Sequence, residues 1–345
     1  MKQARNFVVV ALVSALYACS GTPPPNPLII ATWPGYQVLE LNESFTRQTG
    51  IPVSVRIYES NEELIAKLKA GIGNYDVIVP SDYAVSTLIR EGLILPLRRE
   101  SLPFLGIDPR FLDRTFDPGN QYSIPFAWGV TGIAYRHDLW PAGVASWSDL
   151  FGNPRLHDRF TILNDSREAL GAALKAQGNS LNATKREALE RATERLIASR
   201  RAAKGLIMDA TDLLASGEIV AAHAYSNDAT RAARVSGKPI RFSVPREGAT
   251  RWTDSLAIPM GSRQVEAAYR WIRFMYEPRH NLTFVDATSV GAVLLDTQKN
   301  LSPENRRNPT IVPARDFGKD LEEIKDLGES QTTWDRAWKR VQIGY

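Results

Sequence analysis

Between Leu28 and Tyr83 the hydrophobic pattern switches repeatedly between two periods, and this alternation restricts the fold more than any other feature of the chain. Leu28-Ile29-Ile30-Ala31-Thr32-Trp33 is a short apolar run suited to a buried strand. It ends in Trp33-Pro34-Gly35-Tyr36, a turn signal bracketed by two aromatic residues. Leu39, Leu41 and Phe45 then take helical spacing, which stops near Gly50. Pro52 to Tyr58 alternates as a second strand. Ser60-Asn61-Glu62-Glu63 has the spacing of a capping box, with Leu64, Ile65 and Leu68 as the helix face behind it. Tyr75 to Pro80 is a third strand, ending at Ser81-Asp82-Tyr83. Strand–helix–strand–helix–strand implies a parallel sheet covered by helices. Ligands of such sheets bind at the carboxyl ends of the strands, where Trp33, Tyr36, Ser81 and Tyr83 all fall.

A chain of 345 residues exceeds one typical core, so two domains are expected. Tyr122-Ser123-Ile124-Pro125-Phe126-Ala127-Trp128-Gly129, with the apolar run to Tyr135, reads as the crossing into the second. There Phe160 to Leu163 is a strand and Asn164-Asp165-Ser166-Arg167-Glu168 opens a helix. Asp165 and Glu168 are three apart and share a helix face. Two readings fit them: paired acids of a site, or an N-cap Asp with a first-turn Glu favoured by the helix dipole. Thr184 to Arg201 is a charged amphipathic helix with Leu189, Leu196 and Ile197 on one side. Ile219 to Tyr225 is a strand that places Tyr225 at its carboxyl end.

Arg251-Trp252-Thr253-Asp254-Ser255-Leu256-Ala257-Ile258-Pro259 carries the chain back. In an extended segment Trp252 and Asp254 point to one face, an indole beside a carboxylate. Such a pair suits a ligand that is cationic and apolar along its length. The alternative is a strand end with a half-buried Trp and a solvated Asp. Val265 to Tyr276 is helical, and Trp334 and Trp338, at i and i+4, suit core packing.

The N-terminus reads as an export signal. Lys2 and Arg5 form its positive region, and Phe7 to Tyr17 is apolar but too short for a bilayer span of about 20 residues. Leu16-Tyr17-Ala18-Cys19 is similar to a bacterial lipobox, with Cys19 the site of lipidation and 1–18 the signal peptide. Cys19 is the one cysteine of the chain, so no internal disulfide is available. Residues 19–27, with Pro23-Pro24-Pro25, read as a stiff tether.

Much chemistry is excluded. The net charge of +4 includes the signal's two basic residues, and no dense basic patch supports nucleic-acid binding. His137, His157, His223 and His280 have no metal-ligand spacing, and the common nucleotide, hydrolase and zinc motifs are absent. Neither a metal, a cofactor nor an enzymatic activity is expected. Asp165 and Glu168 offer the only thin basis for a glycosidase.

The chain resembles the spermidine/putrescine-binding protein family of bacterial ABC importers over nearly its whole mature length. The resemblance rests on Tyr58-Glu59-Ser60-Asn61-Glu62, Tyr75 to Ser81, Phe116-Asp117-Pro118, Tyr122-Ser123-Ile124-Pro125 with Trp128-Gly129, and Trp252 to Pro259, in order and at matching spacing. It implies an α/β, two-lobed periplasmic-binding-protein fold, each lobe a mostly parallel sheet flanked by helices. The lobes would be 28–132 with 256–300, and 133–255 with 301–345. It also implies an aromatic box of Trp33, Tyr36, Tyr83 and Trp252, with Tyr225 where the spermidine binders usually carry Trp. Asp165, Glu168 and Asp254 match acidic ligand contacts, and Ser81 a polar one.

Two departures are visible. The family usually carries an acid between the first Trp and Tyr, and here Gly35 stands in its place. The family's Gly-Tyr-Pro-Thr-Pro-Asn stretch is Ser289-Val290-Gly291-Ala292-Val293-Leu294, which removes another aromatic. Asp82 is a candidate stand-in for the missing acid. The resemblance implies a monomeric, lipid-anchored receptor on the periplasmic side of a bacterial membrane that delivers a polyamine to an ABC permease. Three matched acids against the three charges of spermidine favour it over putrescine. A polyamine-sensing lipoprotein partnering a membrane signalling protein, or a receptor for another small solute, would use the same architecture.

Overall fold

The computed structural model describes residues 26–308, 310–312 and 320–344. The signal segment, Cys19 and most of the tether lie outside the described residues. The chain opens as the alternation requires: β1 (Leu28–Thr32), α1 (Leu39–Thr49), β2 (Val53–Ile57), α2 (Asn61–Lys69), β3 (Val77–Ile78) and α3 (Asp82–Arg90). Gly50 ends α1 in the left-handed region, its N–H returning to Thr46 O. Ser60 caps α2 through the Glu63 N–H, while the Glu63 carboxylate reaches back to the Glu59 N–H.

The 14-residue strand β4 (Ser123–Arg136) follows, then α4 (Trp147–Gly152), β5 (Phe160–Leu163), α5 (Ser166–Lys175), α6 (Arg186–Ala202), β6 (Gly205–Ile207), α7 (Thr211–Ser216), β7 (Ala221–Tyr225), α8 (Ser226–Ser236) and β8 (Ile240–Ser243). The return strand is β9 (Ala249–Ala257). The chain ends with α9 (Val265–Met275), α10 (Pro278–Thr288), β10 (Gly291–Ala292), α11 (Leu295–Asn300), α12 (Pro303–Arg307), β11 (Leu321–Glu322) and α13 (Gln331–Ile343).

The main sheet path runs β2-β1-β3-β9-β4-β7-β5-β6. Its flanks are parallel: β1 pairs β2 and β3, and β5 pairs β6 and β7. Its centre is antiparallel, because β4 carries the chain out of one lobe and β9 brings it back. The two pair from Ser123↔Ala257 to Thr131↔Thr250, with a register shift between Pro125 and Ala127. The expectation of mostly parallel lobes therefore holds for the flanks and not for this crossing pair. β4 is buried along nearly all its length, so it reads as a continuous apolar run without alternation.

Trp334 of α13 is fully buried and Trp338 packs partly buried beside the same core, as their spacing suggested. Among the described residues no helix is long and apolar enough to cross a membrane.

Candidate functional site

A cleft with about 770 Å³ of empty space lies where the strand ends of the two lobes face each other. All nine residues singled out from the sequence line it: Trp33, Tyr36, Ser81 and Tyr83 from one side, Asp165, Glu168 and Tyr225 from the other, and Trp252 and Asp254 from β9 between them.

Each wall follows from local chemistry. Trp33 and Tyr36 bracket a turn closed by the Tyr36 N–H on Trp33 O, with Pro34 second and Gly35 third at φ 79°. That is the residue pattern of a type II turn. The Trp33 ring packs 4.6 Å from Tyr58, and Tyr36 sets its edge against Phe284 at 5.5 Å. Trp252 lies opposite Gly129 in the β4–β9 pair. A Cβ on Gly129 would stand 2.2 Å from the Trp252 ring, so the indole can lie across β4 only because that residue is glycine. Tyr225 meets Trp252 edge to face at 6.0 Å.

Asp254 is 4% exposed, which rules out the solvated strand end. Tyr36 Oη donates to its Oδ2 at 2.6 Å and Ser81 Oγ to its Oδ1 at 2.7 Å. Ser81 begins α3 but spends its hydroxyl on Asp254 and not on a helix cap. Both partners are neutral. Burial pushes the Asp254 carboxyl up to about 6, against the pull of the two hydroxyl bonds.

Asp165 caps α5 and also lines the cleft. Its Oδ1 accepts from the Arg167 and Glu168 N–H groups as the N-cap of α5, and its Oδ2 faces Tyr225 Oη at 3.5 Å. Glu168 accepts from Thr131 Oγ1 of β4 at 2.8 Å and Thr250 Oγ1 of β9 at 2.6 Å. Burial raises both carboxyls, and repulsion from Asp165 raises Glu168 further. Tyr83 Oη donates to Glu62, just behind the wall, at 3.1 Å.

Asp82 is fully buried in the wall; its Oδ1 accepts from the Tyr83 N–H and its Oδ2 has no partner among the described residues. Burial pushes it well above the carboxylate range. Sequence reasoning missed Glu59, Asn61, Asp209, Asn227, Asp228 and Arg231, which also line the cleft. Two had a signal: Asp209 lies just beyond β6 and Asp228 just beyond β7, at strand carboxyl ends like the rest. Arg231 had none. Gly35, where the family carries its acid, is pressed against Arg231: a Cβ there would stand 3.1 Å from Nη1. Val290 is in the core, and no residue of 289–294 lines the cleft.

The family model of bacterial extracellular solute-binding proteins matches residues 40–313. The chain belongs to this family, which includes the spermidine/putrescine-binding proteins. It is 32% identical to the spermidine/putrescine-binding periplasmic protein of Escherichia coli K12, over 99% of both chains. The crystal structure of the spermidine/putrescine ABC transporter substrate-binding protein PotD from Streptococcus pneumoniae superposes with a TM-score of 0.78 at 27% identity, covering 93% of this chain and 99% of that one. The PotD-type lipoprotein of Treponema pallidum superposes with a TM-score of 0.82 at 25% identity, covering 92% and 100%.

Proposed function

We propose that this protein is a lipid-anchored, extracytoplasmic solute-binding protein that captures a polyamine between its lobes and presents it to an ABC permease. One observation carries the reading: among the described residues, the aromatic-walled cleft is lined by seven carboxylates and a single arginine. Buried carboxylates facing only hydroxyls are costly until a cation joins them. The aromatic walls favour a cation with apolar methylenes over a bare metal ion. The similarity to spermidine/putrescine-binding proteins supports the same ligand class. The surplus of acids favours spermidine over putrescine, because a diamine leaves more of them unpaired. The nine residues named from the sequence are proposed as its contacts. The lobes are proposed to be 28–132 with 256–300, and 133–255 with 301–345, moving as units about the β4–β9 crossing. The protein is proposed to act as a monomer.

A thermal-shift panel of amines, amino acids, sugars and carboxylic acids tests the ligand class. A ligand at 100 times its Kd adds about 2.7 kcal/mol of stability. Spermidine is expected to give the largest shift; a panel in which amines shift nothing while another class does would overturn the reading.

The anchor is tested separately. Cys19→Ser should move the protein from the membrane fraction to the soluble one with its fold unchanged. A wild-type protein that is already soluble and carries no lipid by mass spectrometry would remove the anchor from the proposal.

A further inference from the structure

Arg231 is the one cation lining the cleft among the described residues, and it lies against the Trp33–Tyr36 turn. Arg231 lies on α8, one turn after Asp228. Its Nη2 donates to Asp209 Oδ2 at 2.6 Å, to Asp228 Oδ1 at 3.0 Å and to Thr211 Oγ1 at 3.0 Å. These anchors come from the segment after β6, from α7 and from α8, and all three converge on Nη2. Nη1 meanwhile faces Gly35 of the opposite lobe. Arg231 thus lies between Gly35 of the opposite lobe and two carboxylates that line the cleft.

The same two carboxylates without Arg231 would form a receptor for an ammonium group. With it, their charge is taken up by the protein's own cation, and an incoming ammonium meets a like charge. Gly35 completes the arrangement, because a Cβ there would sit 3.1 Å from the guanidinium, tighter than ordinary contact, and would be strained at a φ of 79°. Elsewhere in the cleft Asp254 is bonded to the hydroxyls of Tyr36 and Ser81 and Glu168 to those of two threonines, while the buried Arg167 guanidinium sits over the Tyr83 ring and draws on Asp165 and Glu168 without lining the cleft.

We propose that Arg231 is a specificity-determining residue that sets the upper limit on ligand length, filling a terminal amine position with the protein's own guanidinium so that a triamine is accepted and a tetraamine refused. This rests on the polyamine reading above. Putrescine, spermidine and spermine titrated calorimetrically into the wild type, Arg231→Gln and Arg231→Lys test it. The wild type is expected to prefer spermidine to spermine by about tenfold or more, the scale of one like-charge contact in a partly buried site. Arg231→Gln should shift that ratio toward spermine by about the same factor. Arg231→Lys keeps the cation and should keep the wild-type order.

If Arg231→Gln does not fold, Asp228→Asn combined with Arg231→Gln removes both members of the buried pair, leaves only the solvent-exposed Asp209 without its partner, and still frees that carboxylate for a ligand. Equal fold-changes for all three amines would show that Arg231 supports the cleft without measuring the ligand, and would overturn the proposal. So would a wild type that binds spermine as tightly as spermidine. A wild type that binds none of the three defeats the polyamine reading itself, and this inference with it.

Discussion

Asp254→Asn is expected to have two effects of opposite sign: weaker binding of spermidine by some 30- to 150-fold, and a higher melting temperature for the empty protein. The first follows from removing a charge that a buried ammonium would face. Asparagine keeps the shape and one accepting oxygen, so the loss is about 2–3 kcal/mol and not the full cost of a broken buried ion pair. The second follows from the surroundings of Asp254 in the empty cleft. It is buried, its partners are the neutral hydroxyls of Tyr36 and Ser81, and its carboxyl is pushed up to about 6. Near pH 7.5 the ionised form therefore costs the folded protein on the order of 2–3 kcal/mol. Asparagine removes that cost and weakens two charge-assisted hydrogen bonds, leaving a net gain of about 1 kcal/mol and a rise of a few degrees. A residue that merely braced Tyr36 and Ser81 would show the reverse, a lower melting temperature with affinity intact. Titration and a thermal melt of this single variant separate the two roles.

The strand-end residues were legible because the rule behind them is geometric. A parallel α/β unit delivers its loops to one edge, so Trp33, Tyr36, Ser81, Tyr83 and Tyr225 could be placed from periodicity alone. The two-residue repeat of a strand did the same for Trp252 and Asp254. The burial of Asp254 was harder to foresee. It depends on β9 lying mid-sheet between β3 and β4, and local sequence does not reveal which strands flank another. The crossing strand β4 was hidden for the opposite reason. Covered on both faces, it shows no alternation, so its antiparallel partnership with β9 left no pattern to read. Asp165 shows that two readings treated as rivals need not exclude each other: one oxygen caps α5 and the other faces the cleft. Arg231 was beyond reach, since its role depends on Gly35, nearly two hundred residues away in sequence and touching it across the cleft.

Affinity for spermidine is expected to fall by about tenfold or more between pH 8 and pH 5. The amines of the ligand are mostly protonated at pH 8, an isolated alkyl amine having a value near 10, and acidification can only add protons to them, so a loss of affinity toward pH 5 must come from the protein. Asp254 is pushed up to about 6, and burial also raises the Asp165–Glu168 pair. A carboxyl whose folded value exceeds its unfolded one holds its proton more tightly in the native state. The stability it contributes is present at low pH and is lost as pH rises from about 4 through 7. The empty protein should therefore be favoured by mild acid, while the cation needs the ionised form and must expel the proton. At pH 5 a carboxyl at about 6 is ionised in roughly one molecule in eleven, which alone gives the tenfold loss; the raised Asp165–Glu168 pair adds to it. Calorimetry at several pH values, in buffers of different ionisation heat, would detect both the slope and the released proton. A flat affinity with no proton release would mean that Asp254 is already ionised in the empty cleft. In that case the rise in melting temperature of Asp254→Asn should disappear as well, because both effects have the same cause: a charge buried before its partner arrives.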